Sequence, residues 1–152
     1  MKVFDFLDSQ SIVIDLKSPT KKEAIDELCQ VLATNGKIKN AQTVLTALME
    51  REKLGSTGIG QGIAIPHGKS EATETLVAAL GISRKGVDFE ALDGEPVHLI
   101  FLLVAPLDSA GQHLKALARI SRLLKDKFFR QSLRDAKSIE EIQKIIQDED
   151  AY

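Results

Sequence analysis

Apolar and polar residues alternate over Ser11–Lys17, SIVIDLK, with Ile12, Ile14 and Leu16 opposed to Ser11, Asp15 and Lys17. Val13 breaks the alternation, and the pattern predicts a half-buried strand. The period then lengthens. Ile25, Leu28 and Leu32 share one face of a predicted helix that stops at Asn35-Gly36. Thr20 followed by Glu23 reads as a capping box for that helix, with Pro19 nearby. Asn40 is placed to cap a second helix carrying Val44, Leu45, Leu48 and Met49 and ending near Lys53. Gly55–Gly62, GSTGIGQG, reads as a glycine-rich loop, and Ile63–Pro66 as a short extended segment. Thr75–Ser83 predicts a strand. Val97–Ala105 predicts another, apolar on both faces and therefore central. Ser109 with Gln112 forms a second box pattern, ahead of a helix bearing Leu114, Leu117, Ile120 and Leu124. Phe128–Ala136 predicts a short helix. Ser138 with Glu141 opens a last one bearing Ile142, Ile145 and Ile146.

Helices and strands interleave without a repeat, a low-complexity stretch or a linker, so residues 1–152 are expected to form one α/β domain with helices packed on a sheet. The strand order does not follow from this pattern. The 152 residues, 43% hydrophobic, suffice for one domain with a core. A formal net charge of -2 argues against nucleic acid and anionic membrane as partners. The single cysteine, Cys29, excludes an intrachain disulfide and a cysteine-based zinc site. Beside Leu28 and Leu32 it reads as a small core residue. Asp5 and Asp8 interrupt what would have to be the apolar part of an export signal. The longest apolar run, Leu99–Pro106, is far short of the roughly 18 residues of a membrane span. A cytoplasmic protein without membrane insertion is expected.

The chemistry concentrates in GQGIAIPHGKS, which nearly spells a phosphate-binding P-loop. A P-loop requires G-x-x-x-x-G-K-[ST]. Counted from Gly62 the second glycine falls on His67; counted back from Gly68 the first falls on Ile63. The dinucleotide fingerprint fails as well, since Gly58 and Gly60 are followed by Ile63 at the third glycine position. A nucleophile elbow around Ser83 would end on Lys85 instead of glycine.

His67 remains, between Pro66, which stiffens the backbone, and Gly68, which frees it. It is expected at a strand end with an exposed turn setting. It is either a turn histidine without a task or a functional residue on a firm support. His113 falls in the first turn after Ser109 and borders the buried stripe of its helix. It is either a core histidine or a neutral imidazole at an anion-attracting helix end. His98 opens the apolar strand and reads as structural. Arg51, in the last turn of the second helix, is either a helix-end cation or a guanidinium aimed at a phosphate. The three histidines lack HxH or HExxH spacing, so no metal site is expected.

REKLGSTGIGQGIAIPHGK, Arg51–Lys69, resembles the enzyme IIA domains of the bacterial phosphoenolpyruvate-dependent phosphotransferase system. The resemblance is to the fructose/mannitol class, most closely its nitrogen-regulatory member. It extends through SIVIDL, TKKEAIDELCQVL, VHLIFLLVAP and AGQHLKALARISRLL, nearly the whole chain. It implies a central mixed β-sheet flanked by α-helices and a phosphohistidine phosphocarrier. On that resemblance His67 accepts phosphate from an HPr-like carrier protein, His113 orients or stabilises the site, and Arg51 neutralises phosphate charge. No cofactor and no metal are called for. Regulatory target proteins or a IIB domain are the implied onward partners. No fused carrier, IIB or membrane module stands beside the one domain, which favours a regulatory role. A sugar-specific IIA for fructose- or mannitol-type uptake and a non-enzymatic binding module are the alternatives.

Overall fold

The computed structural model describes residues 1–151, leaving aside the side chain of Ala110. Residue 152 of the expected domain lies outside the described residues. A 3-10 turn at Val3–Asp5 leads into β1 (Leu7–Val13), α1 (Lys21–Thr34), α2 (Ala41–Glu52), β2 (Gly58–Gly60), β3 (Ile63–Ala64) and β4 (His67–Lys69). There follow β5 (Val77–Val87), β6 (Val97–Ala105), α3 (Ala110–Leu124), α4 (Lys127–Asp135) and α5 (Ile139–Glu149).

The sheet is mixed, with order β1-β5-β6-β3-β2 and with β4 also paired to β6. β6 lies in its middle, as its apolar run predicts. Alternate β6 residues enter different cores. Leu99, Phe101 and Leu103 pack with Ala116, Ile120, Leu133, Ile142 and Ile146 of α3, α4 and α5. Ile100, Leu102 and Val104 pack with Ile25, Leu28, Leu32, Val44 and Leu48 of α1 and α2. The two-residue period of a strand, with apolar side chains at every position, forces a helical layer on each face.

Helix boundaries follow local chemistry closely. Gly36, at φ 72°, ends α1 after the Asn35 C-cap, and the Asn40 side chain accepts from the Thr43 N–H at 3.1 Å. The Ser138 hydroxyl accepts from the Glu141 N–H at 3.1 Å. Two expected capping boxes do not form. The Thr20 side chain makes no cap bond; the first N–H of α1, on Lys21, donates to the Asp88 carbonyl at 3.0 Å. The Ser109 hydroxyl turns back and donates to the Pro106 carbonyl at 2.6 Å.

The first strand also lies earlier than its alternation predicts, at 7–13 in place of 11–17. Leu7 pairs with Ala78 and Ile12 with Leu80, so five residues of β1 advance against two of β5. The bulge displaces the pattern along the chain. On α3 the buried stripe passes through His113, Ala116, Ile120, Leu123 and Leu124, whereas Leu114, expected in it, is 67% exposed.

Where β5 meets the α1 layer there is room only for glycine. A Cβ on Gly81 would lie 2.8 Å from Leu16 Cγ and 3.2 Å from Leu28 Cδ2. Gly81→Ala is therefore expected to destabilise the fold by about 1–3 kcal/mol, the usual cost of overpacking. Urea unfolding checks this. The cost should shrink when Leu16→Ala is made in the same chain, since the two positions share one space.

Candidate functional site

β3 and β4 occupy one lane beside β6. Ile63 and Ala64 pair with Leu99 and Ile100, and in unbroken register His67, Gly68 and Lys69 pair with Leu103, Val104 and Ala105. The interruption is Ile65-Pro66. Proline has no N–H to offer a ladder, though its carbonyl accepts from Leu103 N–H at 2.9 Å. Ile65 sends its N–H to the Thr57 carbonyl, 3.1 Å away. Ile63 and Ile65 belong to the α3–α5 core and Ala64 to the α1–α2 core. The alternation carries His67 to the α3 face and Gly68 to the α2 face. A Cβ at Gly68 would stand 3.3 Å from Leu48 Cδ2.

His67 is thus the first residue of a paired strand and half-buried, not an exposed turn residue. Its Nδ1 lies 2.8 Å from the Ile65 carbonyl oxygen. A carbonyl only accepts, so Nδ1 carries the hydrogen and neutral His67 keeps its lone pair on Nε2. That nitrogen is a nucleophile.

His113 stands beside it, with ring centroids 5.6 Å apart and ring planes at 78°. It is 7% exposed, and its Nε2 is buried without a hydrogen-bond partner. Burial, above all, holds its pKa below the ordinary 6.5, and charge on His67 and on Lys69 adds to the effect. Its place in the first turn of α3 works in the same direction. Near neutral pH His113 is an uncharged imidazole.

Among the described residues neither ring is hydrogen-bonded to Arg51. It stands on α2, in the layer across the sheet, and its guanidinium donates to the Gly55 carbonyl at 3.0 Å. His98 lies five residues back along β6 from Leu103, about 16 Å away at strand spacing, with Nδ1 2.8 Å from the Ser83 carbonyl oxygen. It holds the far end of the sheet, a structural role. Cys29 is fully buried, and burial pushes its thiol up to about 12. Among the described residues no group of three His, Cys, Asp or Glu side chains converges as a metal site would. None of the described helices is long and apolar enough to cross a membrane.

Two features escaped the sequence reading. Lys69 follows His67 by two residues and so shares its face of β4, and its ammonium acts on His113. Period two was the available signal. The second feature is the segment after β5, which braces the glycine-rich loop. The Asp93 carboxylate accepts from Gln61 N–H at 3.2 Å, holding a non-glycine residue at φ 59°. Leu92 N–H reaches the Gly58 carbonyl at 2.8 Å. A Cβ on Gly58 would meet Ala91 Cα at 3.0 Å. Nothing local to either segment announces their pairing.

A three-layer α/β/α domain thus presents an imidazole with a free Nε2 beside a second, neutral imidazole, and the family match makes it a phosphotransferase-system component. The family model described as phosphoenolpyruvate-dependent sugar phosphotransferase system, EIIA 2, matches residues 5–149. The chain belongs to that family. It is 40% identical over 147 residues to a nitrogen regulatory protein of Bradyrhizobium diazoefficiens, covering 96% of this chain and 95% of that one. It is also 40% identical over 150 residues to the fructose-specific EIIABC component of Bacillus subtilis, covering 99% of this chain but 24% of that protein. The crystal structure of the nitrogen regulatory protein IIA-Ntr of Neisseria meningitidis superposes with a TM-score of 0.86 at 37% identity, over 93% of this chain and 97% of that one. Enzyme IIA mannitol of Escherichia coli, solved in complex with phosphorylated enzyme IIB mannitol, shares the fold with a TM-score of 0.80 at 21% identity, over 94% and 99% of the two chains.

The depressed pKa of His113 has a consequence for stability. The unfolded chain binds this proton more readily than the folded one, so stability is retained above the ordinary value of 6.5 and falls as pH drops below it towards the folded value. The urea midpoint of the wild type should fall more steeply than that of His113→Gln between about pH 8 and about pH 5. Parallel curves would show that His113 titrates alike in both states.

Proposed function

We propose that residues 1–152 act as one cytoplasmic IIA domain in which His67 is the phosphoryl acceptor, loaded by the phosphohistidine of an HPr-like carrier. One observation carries this reading: the Ile65 carbonyl holds Nδ1–H and leaves Nε2 free. The Nε2 lone pair attacks phosphorus, a new N–P bond forms, and the donor's N–P bond breaks with its electron pair returning to the donor imidazole. A donor ring protonated on its other nitrogen leaves as neutral imidazole. His67 gains positive charge as it loads, and the Ile65 carbonyl stabilises that charge through the Nδ1–H bond. The two partners exchange one phosphoramidate for another, so the high transfer potential is kept. The remaining work is positioning and charge neutralisation.

His113 suits a supporting role. A neutral imidazole with an unpartnered buried nitrogen offers a donor to a phosphoryl oxygen. Arg51 suits charge neutralisation only after exchanging its Gly55 carbonyl for phosphate oxygen, a change within reach of a half-buried side chain at the end of a helix. The output favoured here is regulatory, of the nitrogen type, on the greater likeness to the Neisseria IIA-Ntr structure, 37% identical, than to enzyme IIA mannitol, 21% identical. A sugar-specific role with a IIB partner is the second reading, since identity to the fructose-specific component is 40%, equal to that with the Bradyrhizobium relative. Onward transfer to a IIB domain separates the two readings.

Incubation with phosphorylated HPr should place one phosphate on His67, stable in alkali and lost in acid. A phosphopeptide carrying it on Ser56, Thr57 or Ser70 would sink the assignment, and no uptake at all would leave a binding module. His67→Ala should fold and fail to load.

Two further variants test the helpers. Arg51→Lys should slow transfer although it keeps the charge, because lysine lacks the paired planar donors. His113→Ala should still load, but transfer onward about 10²–10³ times more slowly, the typical cost of one positioned donor. Normal transfer with a lowered melting temperature would make His113 a packing residue only.

A further inference from the structure

A buried ion pair lies beneath the glycine-rich loop, and the chemistry described above does not use it. Lys21 is 8% exposed and Glu52 7% exposed. Lys21 Nζ is 3.0 Å from Glu52 Oε1 and 3.7 Å from Glu90 Oε2. It also sits over the Phe89 ring, 5.2 Å from its centroid. Isolated buried charges are costly, and even paired ones need further hydrogen bonds to offset desolvation. Those bonds go to one residue. Glu52 Oε1 accepts from the Thr57 N–H at 3.1 Å, and Glu52 Oε2 accepts from the Thr57 hydroxyl.

The chain of bonds does not stop there. The Thr57 carbonyl accepts from Ile65 N–H at 3.1 Å, and the Ile65 carbonyl accepts from His67 Nδ1–H at 2.8 Å. An unbroken series therefore runs from Lys21 through Glu52, Thr57 and Ile65 to the imidazole. Thr57 is 4% exposed and Ile65 5%, so water does not compete freely along it. We infer that Glu52, clamped by Lys21, is a positioning residue that sets the tautomer and orientation of His67 through Thr57 and Ile65. This rests on the reading of His67 as phosphoryl acceptor.

The physical argument concerns the Ile65-Pro66 break. Pro66 keeps its carbonyl bonded to Leu103 N–H but has no N–H to donate, so β6 does not fix the peptide that carries the Ile65 carbonyl. The Ile65 carbonyl must nevertheless point at Nδ1 for Nε2 to stay unprotonated. The Ile65 N–H bond to Thr57 supplies the missing constraint, provided that Thr57 is itself immobile. Glu52 grips Thr57 at two atoms, which removes both its translation and its rotation. The rigid end of α2 carries Glu52, and Lys21 ties that end to the start of α1. A carbonyl displaced by even an ångström releases Nδ1–H and lets the proton occupy the nucleophilic nitrogen.

The test reads the His67 ring directly. ¹⁵N NMR of the imidazole near neutral pH reports which nitrogen carries hydrogen, and loading from phosphorylated HPr gives the maximal rate and the carrier concentration at half-maximal rate. The wild type should show the Nδ1–H form. Glu52→Gln should mix the two tautomers and lower the maximal rate about ten- to a hundredfold, leaving the half-maximal carrier concentration unchanged. Thr57→Val, which keeps the backbone bond, should move both in the same direction by less.

Glu52→Gln leaves Lys21 with only the exposed Glu90 carboxylate and is the variant at risk of unfolding. Lys21→Met combined with Glu52→Gln removes the stranded charge. It should recover the melting temperature without recovering the tautomer or the rate. Wild-type ring signals in a folded Glu52→Gln protein, or in that double variant, would overturn the inference. A lowered rate with an unchanged tautomer would overturn it as well. A wild type that takes no phosphate on His67 fails the proposed function instead, while the ring signals still decide whether Glu52 sets the tautomer.

Discussion

A strand that is apolar on both faces cannot sit at the surface, and β6 is such a strand. Covering Leu99, Phe101 and Leu103 calls for one layer of helices, and covering Ile100, Leu102 and Val104 calls for another. Both lateral edges of β6 must also find partners, because buried backbone N–H and C=O groups left unpaired are costly. β5 takes one edge and the β3–β4 lane takes the other. The position of His67 follows from that second pairing. Register along β6 places it opposite Leu103, and alternation turns it towards α3 and His113.

The site depends on a local departure from this regular order. If the lane continued without proline, residue 66 would donate to β6 and the ladder would fix the peptide between residues 65 and 66. Pro66 withholds that donor while its carbonyl still accepts from Leu103 N–H, and the Ile65 carbonyl, on the side away from β6, meets the imidazole. The same hydrogen bond has two effects. On the proposed function it keeps Nε2 available before transfer and faces the positive charge that the ring would acquire on loading. His113 complements it: burial keeps this second ring uncharged, so it adds no repulsion to a ring that becomes cationic.

Much of the secondary structure was legible from the chain. α1, α2, α4 and α5 and the whole of β6 fall where periodicity and caps indicate, and Asn40 and Ser138 cap as read. Thr20 and Ser109 were misread because a capping pattern shows which bond is available, not which wins. A turn at Pro106 drew away the Ser109 hydroxyl, and Thr20 bridges to Asp88 with its side chain unused as a cap. β4 was missed as a strand because three residues containing glycine have no period of their own; its pairing with β6 makes it one. The bulge displaced β1 for the same reason, since register belongs to two strands together.

The candidate site divides along the same line. His67 was conspicuous in sequence, because a lone histidine between proline and glycine is a local pattern. His113 was ambiguous, because a helix face tells only that a residue borders the core; the approach of β4 converts it into a buried neighbour of His67. Arg51 was correctly read as a helix-end residue, while its Gly55 partner and its place across the sheet emerged only from the fold. Lys21, Glu52 and Thr57 had no signal at all. Charged residues in the first and last turns of helices are ordinarily solvated, and nothing within either helix shows that the two ends meet. By itself the sequence determined the helices and the central strand and singled out His67 as the candidate, since each depends on neighbours a few positions away. The tertiary structure decided the strand order, the tautomer of His67 and the burial of His113 and of the Lys21–Glu52 pair, since each depends on contacts between segments far apart in the chain.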